Sequence, residues 1–590
     1  MTDQAFLGVE RSASGKRWEL RPVDERLAAA ISQSRGLPDI VGRAIAGRGI
    51  GLEDIDAFLN PSLRDQMPDP MHLRGMEEGV ARLVHAIRHS ERVAVFGDYD
   101  VDGATSSAVI KRYFAAIGAP VQVYIPDRIA EGYGPNAPAL LKLHRDGVKL
   151  VITVDCGITA FDPLNAAREA GLDVIVVDHH AAEPRLPAAA AVINPNRLDD
   201  DSPHGYLAAV GVTFLVLVAL NRALRDAGWF KDRREPDLRQ LLDLVALGTV
   251  ADVVALRGLN RVLTAQGLKV LAQRRNAGLR ALADVAGMDE MPGTYHLGFL
   301  LGPRINAGGR VGEPWLGADL LSTEDDTAAR EIARRLDGYN AERREIEALC
   351  LEQAIDIAEQ RGIGEHLVYV GSEGWHPGVI GIVAGRLKER YNRPACVVAF
   401  ENGVGKGSGR SLEGVDLGAH VIAARQSDLL VNGGGHKMAA GFTVGEAQSE
   451  AFRAFLEERI ANELAGEPIR PRLTLDGGLS VSGASLPLID ALESLAPFGM
   501  GNAEPRFALP HARIAHADVV GTDHVRCRVA GEGGASLKAI AFRCADQEMG
   551  SLLLSARGGA PIHLAGRLRV DRWQGREQPQ LMIDDAAPAL

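Results

Sequence analysis

Short apolar runs alternate with segments of helical periodicity between residues 92 and 180. The runs VAVFG, VQVYI, LVITV and DVIVV are continuously apolar rather than alternating in polarity, which is typical of strands buried on both faces. Helical segments separate these runs at 105–117, 136–145 and 163–170. Such a series predicts an α/β lobe with a mostly parallel sheet flanked by helices.

Two helical regions follow this series. Residues 204–330 read as mainly helical and would complete the first lobe. From 328 to 361, apolar positions recur at spacings of three, four and seven with charges between them, which predicts one long helix. At 1.5 Å per residue this helix would measure roughly 50 Å, long enough to bridge two lobes. Gly362 and Gly364 would end it.

The rest of the chain predicts two further blocks. A second α/β lobe has strands HLVYVGS and ACVVAF around a helix at 379–391, followed by a glycine-rich stretch at 403–441. Beyond Pro468, polarity alternates in VRCRVAG, LKAIAF and HLAGRLRV, which predicts a small all-β barrel or sandwich. We therefore divide the chain into five regions: 1–60 of unassigned role, a first lobe 61–327, a connecting helix 328–362, a second lobe 363–464 and a β-rich tail 468–590.

Length and composition indicate a folded protein of several domains. A chain of 590 residues suggests about three to five domains, and 46% hydrophobic with 24% charged residues is average for soluble proteins. The longest apolar run, 210–220, falls far short of the ~20 residues that cross a bilayer, and the N-terminus lacks the pattern of a secretory signal. We therefore expect a cytoplasmic protein. The five widely spaced cysteines predict neither a disulfide framework nor a zinc site.

The net charge of −12 argues against a nucleic-acid partner, because neutralisation of phosphates normally supplies the affinity. Two observations weaken that argument. Only ten of the 65 basic residues are lysines, and arginine is suited to forked phosphate contacts. The tail from Pro468 is neutral, with 13 basic and 13 acidic residues, so the excess acid lies in the first 467 residues.

Three carboxylates crowd the end of the first predicted strand. Asp98, Asp100 and Asp102 follow VAVFG at alternate positions, where a helix begins. Like charges at this spacing raise one another's pKa, and a divalent cation would relieve the repulsion. Oxygen-rich clusters favour Mg²⁺ or Mn²⁺, and ligands of parallel sheets bind at the carboxyl ends of the strands.

Two later strands of the same sheet end in similar residues. Asp155 follows LVITV, and the triplet 178–180 (Asp-His-His) follows DVIVV, while Asp252 adds an acid after a helical run. A single Asp in such a place is most often a helix N-cap, but capping does not account for three strand ends together. A mixed set of carboxylates and imidazole is large enough for two ions about 3.5–4 Å apart, which would activate a water for attack on a phosphodiester.

The glycine-rich stretch offers groups that suit a phosphate. GVGKGSGRS would bring backbone amides, the hydroxyls of Ser408 and Ser411 and the guanidinium of Arg410 close to an anion. It is not a Walker A loop, because Lys406 is followed by glycine. GGGH, ending at His436, would bring an imidazole towards the metals from the second lobe. We expect both segments to be loops, and the alternative to phosphate binding for both is a flexible glycine turn.

Taken in order, these motifs resemble a known superfamily. DYDVDG, VDCG, DHH and the late Asp252 are similar to the four motifs of the DHH phosphoesterases, and GSGRS with GGGHKMAAG resembles the partner DHHA1 domain. PDRIAEGYG, LGPRINAGGR and the β-rich tail resemble the RecJ family of single-strand-specific 5′→3′ DNA exonucleases. The resemblance names the first lobe as DHH, the second as DHHA1 and the tail as an OB-like domain.

The resemblance implies roles for particular residues. It implies a cage for two divalent cations, Mn²⁺ or Mg²⁺, with Asp155 bridging them, formed by Asp98, Asp100, Asp102, Asp155, His179 and Asp252. His180 would contact the scissile phosphate or aid proton transfer, with orientation of a metal ligand as the alternative. The residues implied in binding the strand and its 5′ phosphate are Arg128, Tyr133, Arg304, Asn306, Arg310, Ser408, Arg410 and Ser411, of which the first five are expected on loops beside the first lobe. For each arginine, a surface salt bridge is the alternative.

The tail adds two arginine pairs, Arg526/Arg528 and Arg567/Arg569, each on one strand face because the spacing is two. They would suit a groove that follows a phosphate backbone, or they could be a solvated strand face.

By resemblance, the protein degrades single-stranded DNA from the 5′ end to mononucleotides in recombination and repair, as a monomer, with single-strand-binding protein and a helicase as partners. Two alternatives remain open. A small-substrate DHH enzyme, an oligoribonuclease or a cyclic-dinucleotide phosphodiesterase, is disfavoured by the length of the chain. A catalytically inactive DNA-binding scaffold is disfavoured because every acid of the cage is present.

Overall fold

A computed structural model describes residues 4–128, 130–465, 469–572 and 575–589. The chain forms two compact units. The central unit comprises residues 62–469 with 499–501, and the terminal unit comprises residues up to 61 together with 470–498 and 502 onward. The predicted boundaries at 1, 468 and 590 lie outside the described residues.

The strands within the described residues are, in chain order, β1 (Arg17–Leu20), β2 (Val93–Phe96), β3 (Gln122–Tyr124), β4 (Leu150–Val154), β5 (Asp173–Val177), β6 (Ala191–Ile193), β7 (Val368–Glu373), β8 (Ala395–Glu401), β9 (Val404–Arg410), β10 (Asn432–His436), β11 (Ala439–Gly445), β12 (Arg472–Leu475), β13 (Gly477–Gly478), β14 (Phe507–Val520), β15 (His524–Ala530), β16 (Ser536–Ala541), β17 (Ile562–Asp571) and β18 (Gln578–Pro588).

The α-helices within the same residues are α1 (Glu25–Arg35), α2 (Asp39–Ala46), α3 (Ile55–Leu59), α4 (Leu63–Gln66), α5 (Met76–Arg88), α6 (Val101–Ala116), α7 (Ala137–Arg145), α8 (Phe161–Glu169), α9 (Ala209–Asp226), α10 (Leu242–Ala251), α11 (Gly258–Leu271), α12 (Ala277–Val285), α13 (Gly302–Val311), α14 (Leu316–Ser322), α15 (Asp326–Arg361), α16 (Ile380–Tyr391), α17 (Leu417–Gln426), α18 (Ser449–Leu464), α19 (Leu486–Glu493) and α20 (Glu548–Ser555).

The first lobe of the central unit has a five-stranded sheet in the order β3-β2-β4-β5-β6. All its pairings are parallel, with Val95 opposite Ile152 and Ile152 opposite Ile175. Every residue of β2 and β4 is buried, as their continuous apolar runs require. The predicted parallel sheet is confirmed. Within it, β4 lies between β2 and β5 and pairs with both.

Helices α9 to α14 complete this lobe, as the pattern at 204–330 predicts. Helix α10 is nearly all apolar because it is enclosed: residues Leu242–Thr249 are buried. A π-helical turn, His296–Leu301, leads directly into α13. Among the described helices, none is both long enough and apolar enough to cross a membrane.

The long helix predicted at 328–361 is α15, Asp326–Arg361. Asp325 caps its start, since the side chain accepts hydrogen bonds from the backbone N–H groups of Thr327 and Ala328. Gly362, with φ of 79°, follows its last residue. At 36 residues the helix is about 54 Å long.

The second lobe has a mixed sheet in the order β10-β11-β9-β8-β7. Its glycine-rich segments are strands β9, β10 and β11, which corrects the expectation of loops. The glycines of β9 alternate with polar residues and face the core, where a Cβ on Gly407 would lie 2.0 Å from Phe442 and one on Gly409 2.6 Å from Leu417. Strand β9 pairs on both edges, so its amides are engaged in the sheet and are not free for a phosphate.

The terminal unit contains a closed barrel in the order β14-β15-β16-β18-β17, with β17 returning to β14. The β16–β18 pairing is parallel and the other barrel pairings are antiparallel. The mostly β tail is confirmed, although it includes the short helices α19 and α20. Residues of the unassigned N-terminal region belong to this unit: β1 pairs with β12, and the buried Trp18 indole donates to Asp585 at 2.9 Å.

Candidate metal centre and phosphate pocket

The acids that follow adjacent strands of the parallel sheet converge at its carboxyl edge. Asp98 follows β2, and Asp155 follows β4 directly. Asp155 has φ of 60°, and its N–H still bonds to Val177 of the neighbouring strand at 3.0 Å, so the chain turns sharply while held to the sheet. The convergence expected of parallel strand ends is present.

The six predicted cage residues and His180 form three overlapping sets of possible metal ligands. Within each set, the ligand atoms all lie within 4.8 Å of one another. The sets are Asp98/Asp100/Asp155, Asp155/His179/His180 and Asp102/His179/Asp252, with Asp155 and His179 each in two of them. All six residues predicted for the metal cage are therefore brought together, along with His180.

Several of these ligand atoms are buried without a hydrogen-bond partner among the described residues. They are Asp98 Oδ1, Asp155 Oδ1, His179 Nε2 and Asp252 Oδ2. Burial raises the pKa of Asp98, Asp155 and Asp252 well above the ordinary carboxyl value, and the neighbouring carboxylates raise it further. Buried acceptors facing one another are costly unless a cation lies between them. The donor set of carboxylate oxygens and one imidazole fits Mn²⁺ or Mg²⁺.

His179 is oriented as a metal ligand. Its Nδ1 is 3.0 Å from the carbonyl oxygen of Leu207, which can only accept, so Nδ1 carries the hydrogen. The other nitrogen, Nε2, faces Asp155 at 3.3 Å, Asp252 at 3.6 Å and Asp102 at 3.9 Å. Burial lowers the pKa of His179 to about 4, so Nε2 presents a lone pair at neutral pH.

Two of the cage acids also act as helix caps. The two oxygens of Asp102 accept from the N–H groups of Ala209 at 2.6 Å and Val210 at 2.8 Å, at the start of α9. Asp100 caps α6, with 2.9 Å to the N–H of Asp102 and 3.1 Å to that of Gly103. The capping and metal-binding interpretations are therefore compatible, because a helix N-terminus holds a carboxylate in place and favours its charge.

Asp178 is a positioning residue that the sequence interpretation quoted but gave no role. It is fully buried, and it accepts hydrogen bonds from Ile158 N–H at 3.0 Å, His179 N–H at 2.7 Å and His180 Nδ1 at 2.8 Å. Burial alone would lower the pKa of His180, but the hydrogen bond to Asp178 raises it overall. Its position directly before the two histidines, at the end of a buried strand, could have indicated this role from the sequence.

Tyr133 lies beside the cage rather than apart from it. Its hydroxyl donates to the backbone oxygen of Asp155 at 3.0 Å, and its ring meets that of His180 edge-on with centroids 6.0 Å apart. The ring remains 54% exposed. Tyr133 therefore supports the turn after β4 and offers one open face beside His180.

A basic cavity of about 230 Å³ lies in the central unit between residues of α13, α16 and β9. It is lined by Arg128, Arg310, Lys406, Ser408 and Arg410 together with glycines, Pro377 and Ile380, and none of these described lining residues is acidic. Burial, with the repulsion of Arg128, lowers the pKa of Arg310 to about 10. Three half-buried arginines and the exposed Lys406 around one cavity are suited to an anion.

Lys406 was absent from the predicted strand-binding residues. It shares one face of β9 with Ser408 and Arg410, whereas the intervening glycines face the core. Reading GVGKGSGR with a period of two would have found Lys406.

Three predicted binding residues have other contacts. Arg304 and Asn306 lie on helix α13, not on a loop as predicted. Arg304 pairs with Asp337 at 2.9 Å, and Asn306 accepts from Val101 N–H at 3.2 Å, which ties α13 to the start of α6. The hydroxyl of Ser411 is buried and donates to Val415 O at 2.9 Å. His436 is exposed at the end of β10, and its Nδ1 accepts from Met438 N–H at 3.3 Å.

Three of the four arginines predicted for the tail groove are paired with acids of the terminal unit. Arg526 contacts Asp518 at 2.6 Å, and Arg567 contacts Asp584 at 2.8 Å. Arg569 contacts Glu504 at 2.7 Å, and Arg528 donates to Ser536. The predicted alternation holds, since Val525, Cys527 and Val529 face the core on the other side of β15.

Three family models match this chain. They are the DHH family N-terminal domain over residues 92–249, the DHHA1 domain over 364–462 and the RecJ OB domain over 475–585. The first range contains the cage residues up to His179 but not Asp252, which follows α10. The second range contains the glycine-rich strands, and the third contains most of the barrel.

Whole-chain similarities agree with these matches. The single-stranded-DNA-specific exonuclease RecJ of Escherichia coli K12 is 36% identical over 567 residues, covering 94% of this chain and 96% of the relative. That of Bacillus subtilis 168 is 34% identical over 581 residues, covering 98% and 71%. The crystal structure of RecJ in complex with Mn²⁺ from Thermus thermophilus superimposes with a TM-score of 0.81 at 31% identity, covering 96% of this chain and 79% of that one. The chain belongs to the RecJ family.

Proposed function

We propose that the protein is a metal-dependent exonuclease that hydrolyses single-stranded DNA in the 5′→3′ direction and releases 5′-mononucleotides in DNA recombination and repair. One observation carries the proposal. Buried ligand atoms such as Asp155 Oδ1 and His179 Nε2, which have no hydrogen-bond partner among the described residues, share one unit with a cavity that is lined by cations and by no described acid. A phosphodiester needs both kinds of group, since metals act at the reacting phosphorus and cations hold a neighbouring phosphate.

The residues that would hold two cations are Asp98, Asp100, Asp102, Asp155, His179 and Asp252. Asp155 is our candidate for the shared ligand, because it belongs to two of the three ligand sets. Bound Mn²⁺ or Mg²⁺ supplies a water of lowered pKa and neutralises charge on the phosphodiester. Relatives support this choice, since RecJ of Thermus thermophilus has been crystallised with Mn²⁺ and with Mg²⁺.

His180 has the contacts of a proton donor in this reaction. Asp178 accepts from Nδ1 at 2.8 Å and raises the pKa of the imidazole, while 47% of the side chain remains exposed. A proton on Nε2 would pass to the 3′ oxygen as the phosphorus–oxygen bond breaks and the water oxygen joins the phosphorus. His436 is proposed as a second imidazole at the same phosphate, on the predicted DHHA1 region 363–464.

The basic pocket would hold the 5′ end of the strand. Arg128, Arg310, Ser408 and Arg410 keep the roles proposed from the motifs, with Lys406 added. Arg304, Asn306 and Ser411 are assigned to positioning these elements, because their polar groups bond to other parts of the chain. The barrel within the predicted region 468–590 is proposed to hold more distant nucleotides.

Partners and setting follow from this activity. The substrate is single-stranded DNA, and we propose that single-strand-binding protein and a helicase supply it in the cytoplasm. The cage and the pocket are built within one chain, which supports a monomer.

Product analysis tests the function directly. A 5′-phosphorylated single strand with internal label, and its duplex form, would be digested with Mn²⁺ or with EDTA. Mononucleotides from the single strand alone, and only with Mn²⁺, are expected. Hydrolysis of dinucleotides without cleavage of long DNA would instead indicate a small-substrate phosphodiesterase, and binding without cleavage a scaffold.

A further inference from the structure

Two exposed aromatic rings stack on the helix that leads into α13. Tyr295 and Phe299 are 61% and 67% exposed, and their ring centroids are 5.3 Å apart with an angle of 24° between planes. Met291, 78% exposed, lies nearby in sequence. Single exposed apolar residues are ordinary, but a group of them on a folded surface marks a binding site. No role described so far uses this pair.

The pair lies beside the metal centre. Phe299 lies on the π-helical turn His296–Leu301 and Tyr295 directly precedes it; this rare geometry occurs often at functional sites. A Cβ on Gly298 would lie 3.6 Å from Val250 Cγ1, so the turn packs on the last residues of α10. Asp252 of the cage follows Val250 by two residues, about 3 Å along the helix axis.

Helix α13 connects the aromatic pair to the basic pocket. A Cβ on Gly302 would lie 3.9 Å from Val101, the first residue of α6, and one on Gly309 would lie 3.0 Å from Tyr99 Cβ, between the cage residues Asp98 and Asp100. The next residue, Arg310, lines the pocket. The helix thus passes along the acids from the Asp252 side to the pocket. Helix geometry places Phe299 roughly 16 Å from Arg310 along the axis, a span of about three to five nucleotides.

We propose that Tyr295 and Phe299 form a base-stacking surface for single-stranded DNA, a few nucleotides from the end held in the basic pocket. The proposal rests on the proposed function, since it needs a DNA strand at the cage. Unpaired bases extend an aromatic stack, and such stacking tolerates any sequence. The exposed acids Asp289 and Glu290 precede the pair and repel phosphates, so bases rather than the backbone meet the rings.

Binding of abasic DNA tests this contact. The variant Tyr295→Ala with Phe299→Ala would be compared with the unaltered protein in EDTA, where the strand stays intact. Fluorescence anisotropy would report affinity for a 5′-phosphorylated oligothymidylate and for the same strand with abasic residues a few nucleotides from its 5′ end. We expect the double variant to bind the normal strand about 10-fold more weakly than the unaltered protein does. The unaltered protein should bind the abasic strand about 10-fold more weakly than the normal strand. The double variant should show no further loss of affinity on the abasic strand, because both changes remove the same contact.

Controls separate stacking from general damage. Tyr295→Phe with Phe299→Tyr keeps both ring faces and should retain affinity, as should Leu349→Ala, which removes a 57% exposed side chain from α15. Hydrolysis of a 5′-phosphorylated dinucleotide, too short to reach the rings, should be unchanged in the double alanine variant. Equal binding of normal DNA by that variant, or an equal further loss on abasic DNA, would overturn the proposal and leave the patch to a protein partner. Absence of cleavage by the unaltered protein would refute the exonuclease activity while leaving the binding comparison readable.

Discussion

The arginines of the basic pocket and those of the barrel differ in what surrounds them. In the pocket, Arg310 is half-buried and donates to the Gly378 carbonyl, while Arg410, also half-buried, donates to Ser408 and a backbone oxygen. In the barrel, Arg526 and Arg567 each contact a carboxylate. Partial burial of several neighbouring cations with no acid among the described lining residues is unfavourable, so the pocket is arranged for an anion from outside the protein. Arg526 and Arg567 of the barrel already have an anionic partner within the protein.

The carboxylates of the metal cage differ from those of the barrel in the same way. Asp98 and Asp155 are buried with oxygens that no described residue satisfies, whereas Asp518 and Asp584 of the barrel are paired. Residue type therefore does not distinguish ligand-binding groups from structural ones. A charged group that is buried with no partner in the protein is a candidate for binding a ligand, whereas a paired one contributes to the fold.

The largest effect should follow removal of the shared cage acid. Asp155→Ala should lower hydrolysis of single-stranded DNA by about 10³-fold or more, because both candidate ion positions lose a ligand. Circular dichroism should show an intact fold, and Asp162→Ala, an exposed acid in the first turn of α8, serves as the control. Activity retained in Asp155→Ala would break the two-metal assignment.

The second effect concerns stability rather than activity. Mn²⁺ should raise the thermal unfolding midpoint of the unaltered protein, because it relieves repulsion among the buried carboxylates. At one hundred times its Kd the ion adds about 2.7 kcal/mol to the free energy of unfolding. Asp155→Asn should respond less to Mn²⁺, and calorimetry with EDTA as reference measures both. An equal response in the two proteins would contradict the cage.

The third effect should fall on the pocket. Arg410→Gln removes a charged donor and should lower kcat/KM for 5′-phosphorylated DNA by about 10-fold to 100-fold, since a charge-assisted hydrogen bond contributes about 1.5–3 kcal/mol. The same substitution should lower kcat/KM less for DNA with a 5′ hydroxyl, which has no terminal phosphate for the pocket to bind. Arg386→Gln, an exposed arginine of α16, is the matched control. An equal loss on both substrates would show that the pocket does not hold the terminal phosphate.

The smallest effect is expected in the barrel. Arg526→Gln should change affinity for single-stranded DNA by about 2-fold or less at physiological salt, because its guanidinium is engaged by Asp518 in an exposed ion pair. Anisotropy titrations over a range of salt concentrations measure the change. A loss as large as that of Arg410→Gln would remove the distinction between the two groups of arginines.

Much of the architecture was predictable because burial leaves a strong pattern. Continuously apolar runs predicted β2 and β4 of the parallel sheet, and spacing predicted the helix α15. The glycine-rich strands were wrongly expected to be loops. Glycine is usually a weak strand former, and the side chains of Phe400, Phe442 and Leu417 packed over β9 explain why it is required there.

The sequence by itself determined which acids meet. Parallel strands end at one edge of the sheet, so the aspartates that follow β2 and β4 had to lie at that edge, and they lie close together because these two strands are neighbours. Tertiary structure alone decided which charges are compensated. Arg304 and Arg310 belong to the same short motif and helix, yet Arg304 meets Asp337 of α15 while Arg310 lines the pocket. The partner of a charge can lie anywhere along the chain, and local pattern carries no record of it.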